Sequence, residues 1–235
     1  MNTKTTLNRP KRPALLTCLP ALFTMTAVLH AATVFEDSFA RTGPLYGSSP
    51  SPTNTTSSTW GDNATNDGPI VKNSALVIPN TNDFVFLPFD FAALKPNSVV
   101  TLSAEITLSS GTGLAWIGFG FANSNNAFGT ATSWLRITTN GITKCIAGPG
   151  HTNYIPGAAF PLNAPVVVKI TYDPAANQTT FYFNEKQAGT ITNLQSPAMD
   201  RIFINMVIAE GDTISGTIKK LKLHVSGGDG KTDAR

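Results

Sequence analysis

The sequence predicts an all-β protein, a single two-sheet antiparallel jelly-roll β-sandwich. Three observations predict this fold: one strictly alternating segment, two hairpin signals, and the lack of any sustained helical periodicity. Many short strands at regular spacing are typical of sandwiches and jelly rolls. Such folds can reach about 200 residues as one domain, so we expect no internal domain boundary.

The segment Val99–Leu108, VVTLSAEITL, carries the alternation. Apolar and polar residues alternate along this segment, which predicts a half-buried strand in a sheet with one face in water. The residues expected in the core are Val100, Leu102, Ala104, Ile106 and Leu108.

Two hairpins are predicted farther along the chain. Asn140-Gly141 separates SWLRITT from ITKCIA, and Asn-Gly is the strongest short hairpin signal. PVVVKITYD and TTFYFNE flank the longer turn PAAN. Further strands are predicted for TVFEDSF, ALVIP, FVFLPF, RIFINMVI and GTIKKLKLHV, whereas segment 41–59 is polar and predicts a long, loosely ordered loop.

The first 32 residues are predicted to be a secretory signal peptide. A positive n-region with four basic residues precedes an uncharged run over 14–29, and HAA follows it. The run is shorter than the roughly 20 residues of a membrane span, which disfavours the alternative of an N-terminal anchor. We expect cleavage after Ala32, a mature domain over 33–225 without a membrane anchor, a flexible polar tail over 226–235, and a secreted protein.

The charge balance does not predict a nucleic-acid partner. Removal of the four basic residues of the n-region leaves 13 Lys and Arg against 14 Asp and Glu, so the basic pI belongs to the signal peptide. Lys219, Lys220 and Lys222 are interpreted as solvent-facing or edge lysines that discourage aggregation.

Cys145 is the only cysteine of the mature chain. It is expected to be a small buried hydrophobe, with a reactive thiol as the alternative.

Four stretches carry a resemblance to a known family: TVFEDSFARTGPLYGSSPSPTNT, WIGFGFANSNN, WLRITTNG and ITYDPAANQTTFYFN. They resemble the concanavalin A-like (laminin-G-like) jelly-roll superfamily, especially small secreted proteins of environmental bacteria such as verrucomicrobia. The resemblance implies the jelly-roll fold and a glycan partner. The same superfamily includes glycoside hydrolases and polysaccharide lyases. The Pro-Glu-Pro sorting tag of many bacterial relatives is missing, which favours release over surface anchoring.

No catalytic residues are predicted. Retaining glycosidases need two carboxylates about 5–5.5 Å apart, and residues on one strand share a face only at even spacing. Glu105 has only Ser103 and Thr107 as same-face neighbours, so it is interpreted as solvent-facing. Glu36 and Asp37 are adjacent and point to opposite faces. We therefore predict that the protein is not an enzyme.

A calcium site formed by oxygen atoms of loop residues is one possibility that the sequence offers. Asn80, Asn82 and Asp83, with Asp37, are the candidates for a calcium site, because such sites collect oxygens from distant loops. Turn formation is the favoured alternative for these residues. No other cofactor is predicted.

The candidate binding surface starts from the strand within GLAWIGFGFANSNN. Ala115, Ile117, Phe119 and Phe121 are interpreted as core, which leaves Trp116, Gly118 and Gly120 on the other face. Two glycines in phase indicate close approach, either by a ligand or by another segment such as 41–59.

Pairing with the next strand would add Trp134 and Arg136 to this face. Indole rings, a guanidinium and amides suit the flat apolar faces and the hydroxyls of sugars. We expect both indoles to be partly exposed. The predicted glycan-binding residues are Trp116, Gly118, Gly120, Asn123, Asn125, Asn126, Trp134 and Arg136.

The leading functional hypothesis is a secreted, non-catalytic, lectin-like jelly roll that binds a polysaccharide or other glycan. A structural or surface-interaction protein without a sugar site is the second hypothesis, and a divergent glycan-cleaving enzyme is the third.

Overall fold

The computed structural model describes residues 32–62, 68–91, 98–123, 131–148, 153–192 and 199–227. Within these ranges the regular structure is entirely β, and every strand pair is antiparallel. The strands are β1 (Ala32–Asp37), β2 (Gly43–Pro44), β3 (Pro52–Asn54), β4 (Gly61–Asp62), β5 (Ile70–Lys72), β6 (Ala75–Ile78), β7 (Asp83–Pro88), β8 (Val99–Leu108), β9 (Trp116–Ala122), β10 (Ala131–Thr138), β11 (Thr143–Ala147), β12 (Tyr154–Pro156), β13 (Val166–Asp173), β14 (Gln178–Phe183), β15 (Lys186–Thr192), β16 (Arg201–Val207) and β17 (Gly216–Ser226).

The strands form two sheets, as the sequence predicts. The ten-stranded sheet has the order β15-β14-β13-β8-β17-β6-β5-β2, with β1 beside β17 and β3 beside β1. The seven-stranded sheet has the order β12-β11-β10-β9-β16-β7-β4. Neighbours such as β9 and β16 are distant in sequence. The two-sheet antiparallel jelly-roll prediction is confirmed.

The main core lies between the two sheets. β8 has the predicted bounds, and its alternate residues Val100 to Leu108 are buried on the core side. Ala115 and the core-phase residues of β9 are also fully buried. Alternation therefore identifies the inner faces of both strands, because successive side chains of a strand point to opposite faces.

Both predicted hairpins are present. β10 pairs with β11, and β13 pairs with β14 through a turn in which Asn177 has a φ of 48°. The first connection spans residues 139–142 and is longer than a two-residue Asn-Gly turn. Gly141 has a φ of 79° there, in the left-handed region that glycine adopts without steric cost.

The prediction that segment 41–59 is loosely ordered is wrong. The segment contains β2 and β3, and Leu45 is fully buried in the main core with Trp60, which directly follows the segment. Arg41 forms an ion pair with the buried Asp37. A few anchors therefore order a stretch whose polar composition resembles that of a loop.

The lysine cluster lies on the solvent side of an inner strand, not at an edge. β17 pairs with β1, β6 and β8. Lys220 and Lys222 form ion pairs with Glu105 at 2.8 Å and with Glu36 at 3.9 Å. Glu105 and Glu36 therefore each pair with a lysine on the solvent side of the sheet. This agrees with the interpretation of Glu105 as a solvent-facing residue.

Cys145 is a fully buried member of the main core, as predicted. Burial raises the pKa of its thiol to about 12, so the thiolate that a reactive cysteine needs is disfavoured.

The predicted signal peptide lies outside the described residues up to Ala31, and the predicted tail lies outside them from residue 228 onward. β1 begins at Ala32 and pairs with the end of β17. Among the described residues, no helix is long and apolar enough to cross a membrane.

Candidate functional site

The outer face of the seven-stranded sheet carries a second apolar cluster, separate from the main core. Alternation places its members opposite the core-facing residues of β7, β9, β10, β11 and β16. We call it the outer cluster. Its buried members are Phe84, Phe86, Trp116, Ala122, Trp134, Ile146 and Phe203.

The two indoles of the predicted site are buried in this cluster. Trp116 is 5% exposed and Trp134 is 1% exposed, so the expectation that both are partly exposed is wrong. Their ring centroids are 5.7 Å apart, and the Trp134 ring lies 6.0 Å from the Phe203 ring. Aromatic rings from strands distant in sequence surround the indoles, which alternation along one strand does not reveal.

The protein itself makes the close approach that the two glycines indicate. A Cβ atom on Gly118 would lie 3.1 Å from the Trp134 ring and 3.2 Å from the Trp116 ring. A Cβ atom on Gly120 would lie 2.4 Å from the Ser133 carbonyl oxygen of the neighbouring strand. Ring and strand packing explain both glycines without a ligand, and segment 41–59 is not among these nearest contacts.

Arg136 lies where the sequence predicts it, beside Gly118 and on the same face as Trp116. Its guanidinium carbon is 4.9 Å from the centroid of the Trp116 ring. Its Nε is buried and has no hydrogen-bond partner among the described residues. Burial lowers the pKa of Arg136, because desolvation disfavours the charged form.

Asn205 is a candidate site residue that the sequence analysis missed. It pairs with Gly118 across β9 and β16, and alternation in β16 places its side chain on the outer face. The residue is only 4% exposed and its side chain makes no hydrogen bond within the described part of the chain, although its amide atoms keep some contact with solvent. Buried amides normally have partners. The sequence does contain one signal that could have identified this residue, because Asn205 is the single polar residue in the apolar run IFINMVI.

The predicted amide rim is described only in part. Asn123 is exposed at the end of β9, beyond Ala122. Asn125 and Asn126 lie outside the described residues.

A cleft of about 650 Å³ lies where Pro88 to Asp90 meet Asp200 and Arg201. It lies within the usual size range of small-molecule sites, about 300–1,000 Å³. Asp90, Asp200 and Arg201 line it together with three hydroxyl side chains of residues 55–58. Arg201 donates to both oxygens of Asp200 at 2.5 and 2.9 Å, and its guanidinium carbon lies 4.9 Å from the Phe86 ring. The cleft therefore combines charge with hydroxyl groups beside an aromatic surface.

The four candidate calcium ligands have structural roles. Asn80 Oδ1 accepts a hydrogen bond from the backbone N–H of Ile214 at 2.8 Å, and Asn82 Oδ1 accepts one from Ile208 at 2.6 Å. Asp37 binds Arg41. No three acidic, histidine or cysteine side chains come together within the described ranges. The amide contacts support the interpretation of Asn80 and Asn82 as loop-forming residues.

Asp83 interacts with a second carboxyl group, that of Asp62. Burial first, and then the charge and hydrogen bond of the neighbouring Asp62, raise the pKa of Asp83 to about 7, against an opposing hydrogen bond from the Phe84 N–H. Asp83 is therefore largely protonated below neutral pH in the folded protein.

Replacement of Asp83 with Asn is expected to remove a loss of stability that the wild type suffers as the pH rises from about 4 to about 7. The raised pKa means that the wild type is most stable below about pH 4 with respect to this group and loses that stability as the pH rises through 7. Between pH 5 and pH 8 the wild type should lose about 2–3 kcal/mol of unfolding free energy through this group, and the variant should not. Urea denaturation at both pH values measures this difference. Glu210→Gln, at an exposed position, is the control. Equal pH dependence in wild type and Asp83→Asn would contradict the raised pKa of Asp83.

The fold is a two-sheet jelly roll that several solved structures share, and its seven-stranded sheet has an aromatic outer face. Three solved structures illustrate the likeness. The endo-β-1,3-glucanase from Pyrococcus furiosus has a TM-score of 0.56 at 12% identity, covering 85% of this chain and 96% of that one. The Emp46p carbohydrate recognition domain, in a potassium-bound form, has a TM-score of 0.54 at 13% identity, covering 77% and 95%. The Emp47p carbohydrate recognition domain has a TM-score of 0.53 at 14% identity, covering 80% and 96%.

At these identities the likeness shows the fold. No protein-family model matches the chain, and no curated protein sequence matches it.

Proposed function

We propose that the protein is a secreted, non-catalytic, carbohydrate-binding jelly roll. One observation carries the proposal: two polar side chains on the outer face, Asn205 and Arg136, have buried or nearly buried polar groups without partners among the described residues. A buried polar group without a partner among the described residues, such as Arg136 Nε, is costly, and a ligand hydroxyl would satisfy it.

The chemistry of this face suits a saccharide. An amide both donates and accepts, a guanidinium donates in a planar fork, and a sugar offers hydroxyl groups to both. Asn205 and Arg136 flank Gly118 on neighbouring strands. In this proposal Trp116 and Trp134 support the polar groups from the outer cluster, and Asn123 belongs to the rim. The carbohydrate recognition domains among the fold neighbours support the proposal by analogy.

A glycan-array screen of the wild type and of Asn205→Ala tests the proposal. We expect the wild type to bind a defined subset of glycans and the variant to bind them about five- to tenfold more weakly, the loss of one hydrogen bond. The melting temperature should stay nearly unchanged, because the amide makes no hydrogen bond within the described part of the protein. Gln187→Ala, at an exposed position on the other sheet, should bind like the wild type. Absence of glycan binding by the wild type would refute the function.

A glycan-cleaving enzyme is the second candidate, favoured by the cleft. Asp90 and Asp200 line it together, and glycosidases use paired carboxylates. One fold neighbour is an endo-β-1,3-glucanase. Our proposal expects no release of reducing ends or unsaturated products from laminarin, xylan or alginate. Release by the wild type that is lost in both Asp90→Asn and Asp200→Asn would establish the enzyme instead.

The proposed secretion rests on the predicted signal peptide, and N-terminal sequencing of exported protein should start near Thr33. An N-terminus at Met1 in a membrane fraction would contradict it.

A further inference from the structure

Two cations lie directly opposite each other on the outer face. Arg136 of β10 pairs with Lys144 of β11, and both are in phase with residues of the outer cluster. Like charges at directly opposed positions destabilise a sheet, because their side chains are close neighbours. An arrangement that costs stability in the free protein needs a compensating interaction.

The described residues do not supply a counter-charge. Neither Arg136 nor Lys144 has a carboxylate within ion-pair distance in the described ranges, and among the other described cations the same holds for Lys72, Lys186 and Lys219. The chain itself has no Asp or Glu between Glu105 and Asp173, the stretch that contains β9 to β12. This part of the outer face is therefore positively charged.

Aromatic rings hold both cations in place. The guanidinium of Arg136 lies over the Trp116 ring, and Lys144 Nζ lies 3.7 Å from the centroid of the Tyr154 ring. Tyr154 is 42% exposed, so the Lys144 side of the pair is open to solvent. Cation–π contacts orient a charge without neutralising it. The positions of the two charges are thus defined before any ligand arrives.

The polar groups continue across the sheet from this pair. Cross-strand pairing forms the row Asn205, Gly118, Arg136 and Lys144, in that order. The buried Nε of Arg136 and the amide of Asn205 lack partners among the described residues. A ligand along the row would meet an amide first and two cations next.

We propose that the glycan bound by this face is acidic, with its carboxylate or sulfate group between Arg136 and Lys144. The inference rests on the proposed carbohydrate-binding function and specifies its ligand class. An anionic group removes the repulsion between the two cations and accepts charge-assisted hydrogen bonds from both. The neighbouring Asn205 then binds a hydroxyl group of the same chain.

Calorimetric titration with three oligosaccharides of equal length tests the inference: an oligogalacturonate, a sulfated galactan fragment and a neutral β-glucan fragment. We expect one or both acidic ligands to bind, with affinity that falls when sodium chloride rises from about 50 to about 500 mM. The arm that binds distinguishes carboxylate from sulfate. Lys144→Gln should weaken acidic binding about tenfold, the scale of one charge-assisted hydrogen bond.

The opposite sheet offers a matched control. Lys169 also lies over a tyrosine ring, with Nζ 4.6 Å from the Tyr182 centroid, but it has Glu185 as a partner. Lys169→Gln should bind acidic oligosaccharides like the wild type. A second variant, Arg136→Gln, should show the same direction of change as Lys144→Gln, with folding of each variant verified by its melting curve.

Three outcomes would overturn the inference. Equal binding of neutral and acidic ligands, unaffected by Lys144→Gln, would leave a carbohydrate-binding protein without the acidic preference. If Lys144→Gln and Lys169→Gln lost the same affinity for acidic oligosaccharides, the effect would be one of general surface charge. The same conclusion would follow if a single-stranded DNA of matched charge bound as tightly as the acidic oligosaccharides. Failure of the wild type to bind any glycan, on the array and in the titrations, would refute both this inference and the proposed function.

Discussion

Replacement of Trp134 with Ala is expected to lower the free energy of unfolding by about 3–5 kcal/mol. The indole is almost completely buried and contacts the rings of Trp116 and Phe203. The truncation leaves a cavity in the outer cluster, and the surrounding β-sheet backbone cannot collapse to fill it. Urea denaturation followed by far-ultraviolet circular dichroism measures the change.

Tyr154→Ala is the control for Trp134→Ala. Tyr154 lies on the same sheet but is 42% exposed, so its truncation should cost under about 1 kcal/mol. An unchanged melting temperature for Trp134→Ala would contradict the burial of Trp134. It would support the partly exposed position that the sequence predicts for this ring.

Replacement of Asp37 with Ala is expected to cost about 3–5 kcal/mol, because it breaks a buried ion pair. Asp37 Oδ1 accepts from the Phe39 N–H at 2.9 Å and from Arg41 Nη1 at 2.8 Å. Asp37 Oδ2 accepts from Arg41 Nη2 and from Trp60 Nε1, both at 2.8 Å. The carboxylate thus joins β1 to the segment that follows it, and its loss leaves three buried or partly buried donor groups without their acceptor. Thermal and urea denaturation measure the cost.

The neighbouring acid provides the matched control. Glu36 is half-exposed and lies 3.9 Å from Lys222, so Glu36→Ala should change stability by less than about 0.5 kcal/mol. Similar effects of the two substitutions would contradict the assignment of the structural role to Asp37.

Much of the fold is predictable because its signals are local. Alternation over Val99–Leu108 defines one strand and its inner face, and the PAAN turn between two strand-like segments defines a hairpin. The neighbours β9 and β16 are not predictable in this way. They are separated by many residues, and no short-range pattern states which distant strands pair.

The candidate site was predictable in its location and not in its exposure. Pairing of β9 with β10 places Arg136 beside Gly118, as the sequence predicts. Asn205 was missed because it comes from β16, and the burial of Trp134 was missed because Phe203 comes from the same strand.

The β-sandwich class and the inward-pointing side chains follow from local patterns, because the period of two is a property of each strand alone. The contacts of the outward-pointing side chains follow from the three-dimensional arrangement of the strands. Exposure depends on neighbours in space, and in an antiparallel sheet with crossovers these come from distant parts of the chain. The same reason explains how a polar segment becomes ordered around Leu45 and how Arg136 and Lys144 become an unpaired cationic surface within the described residues.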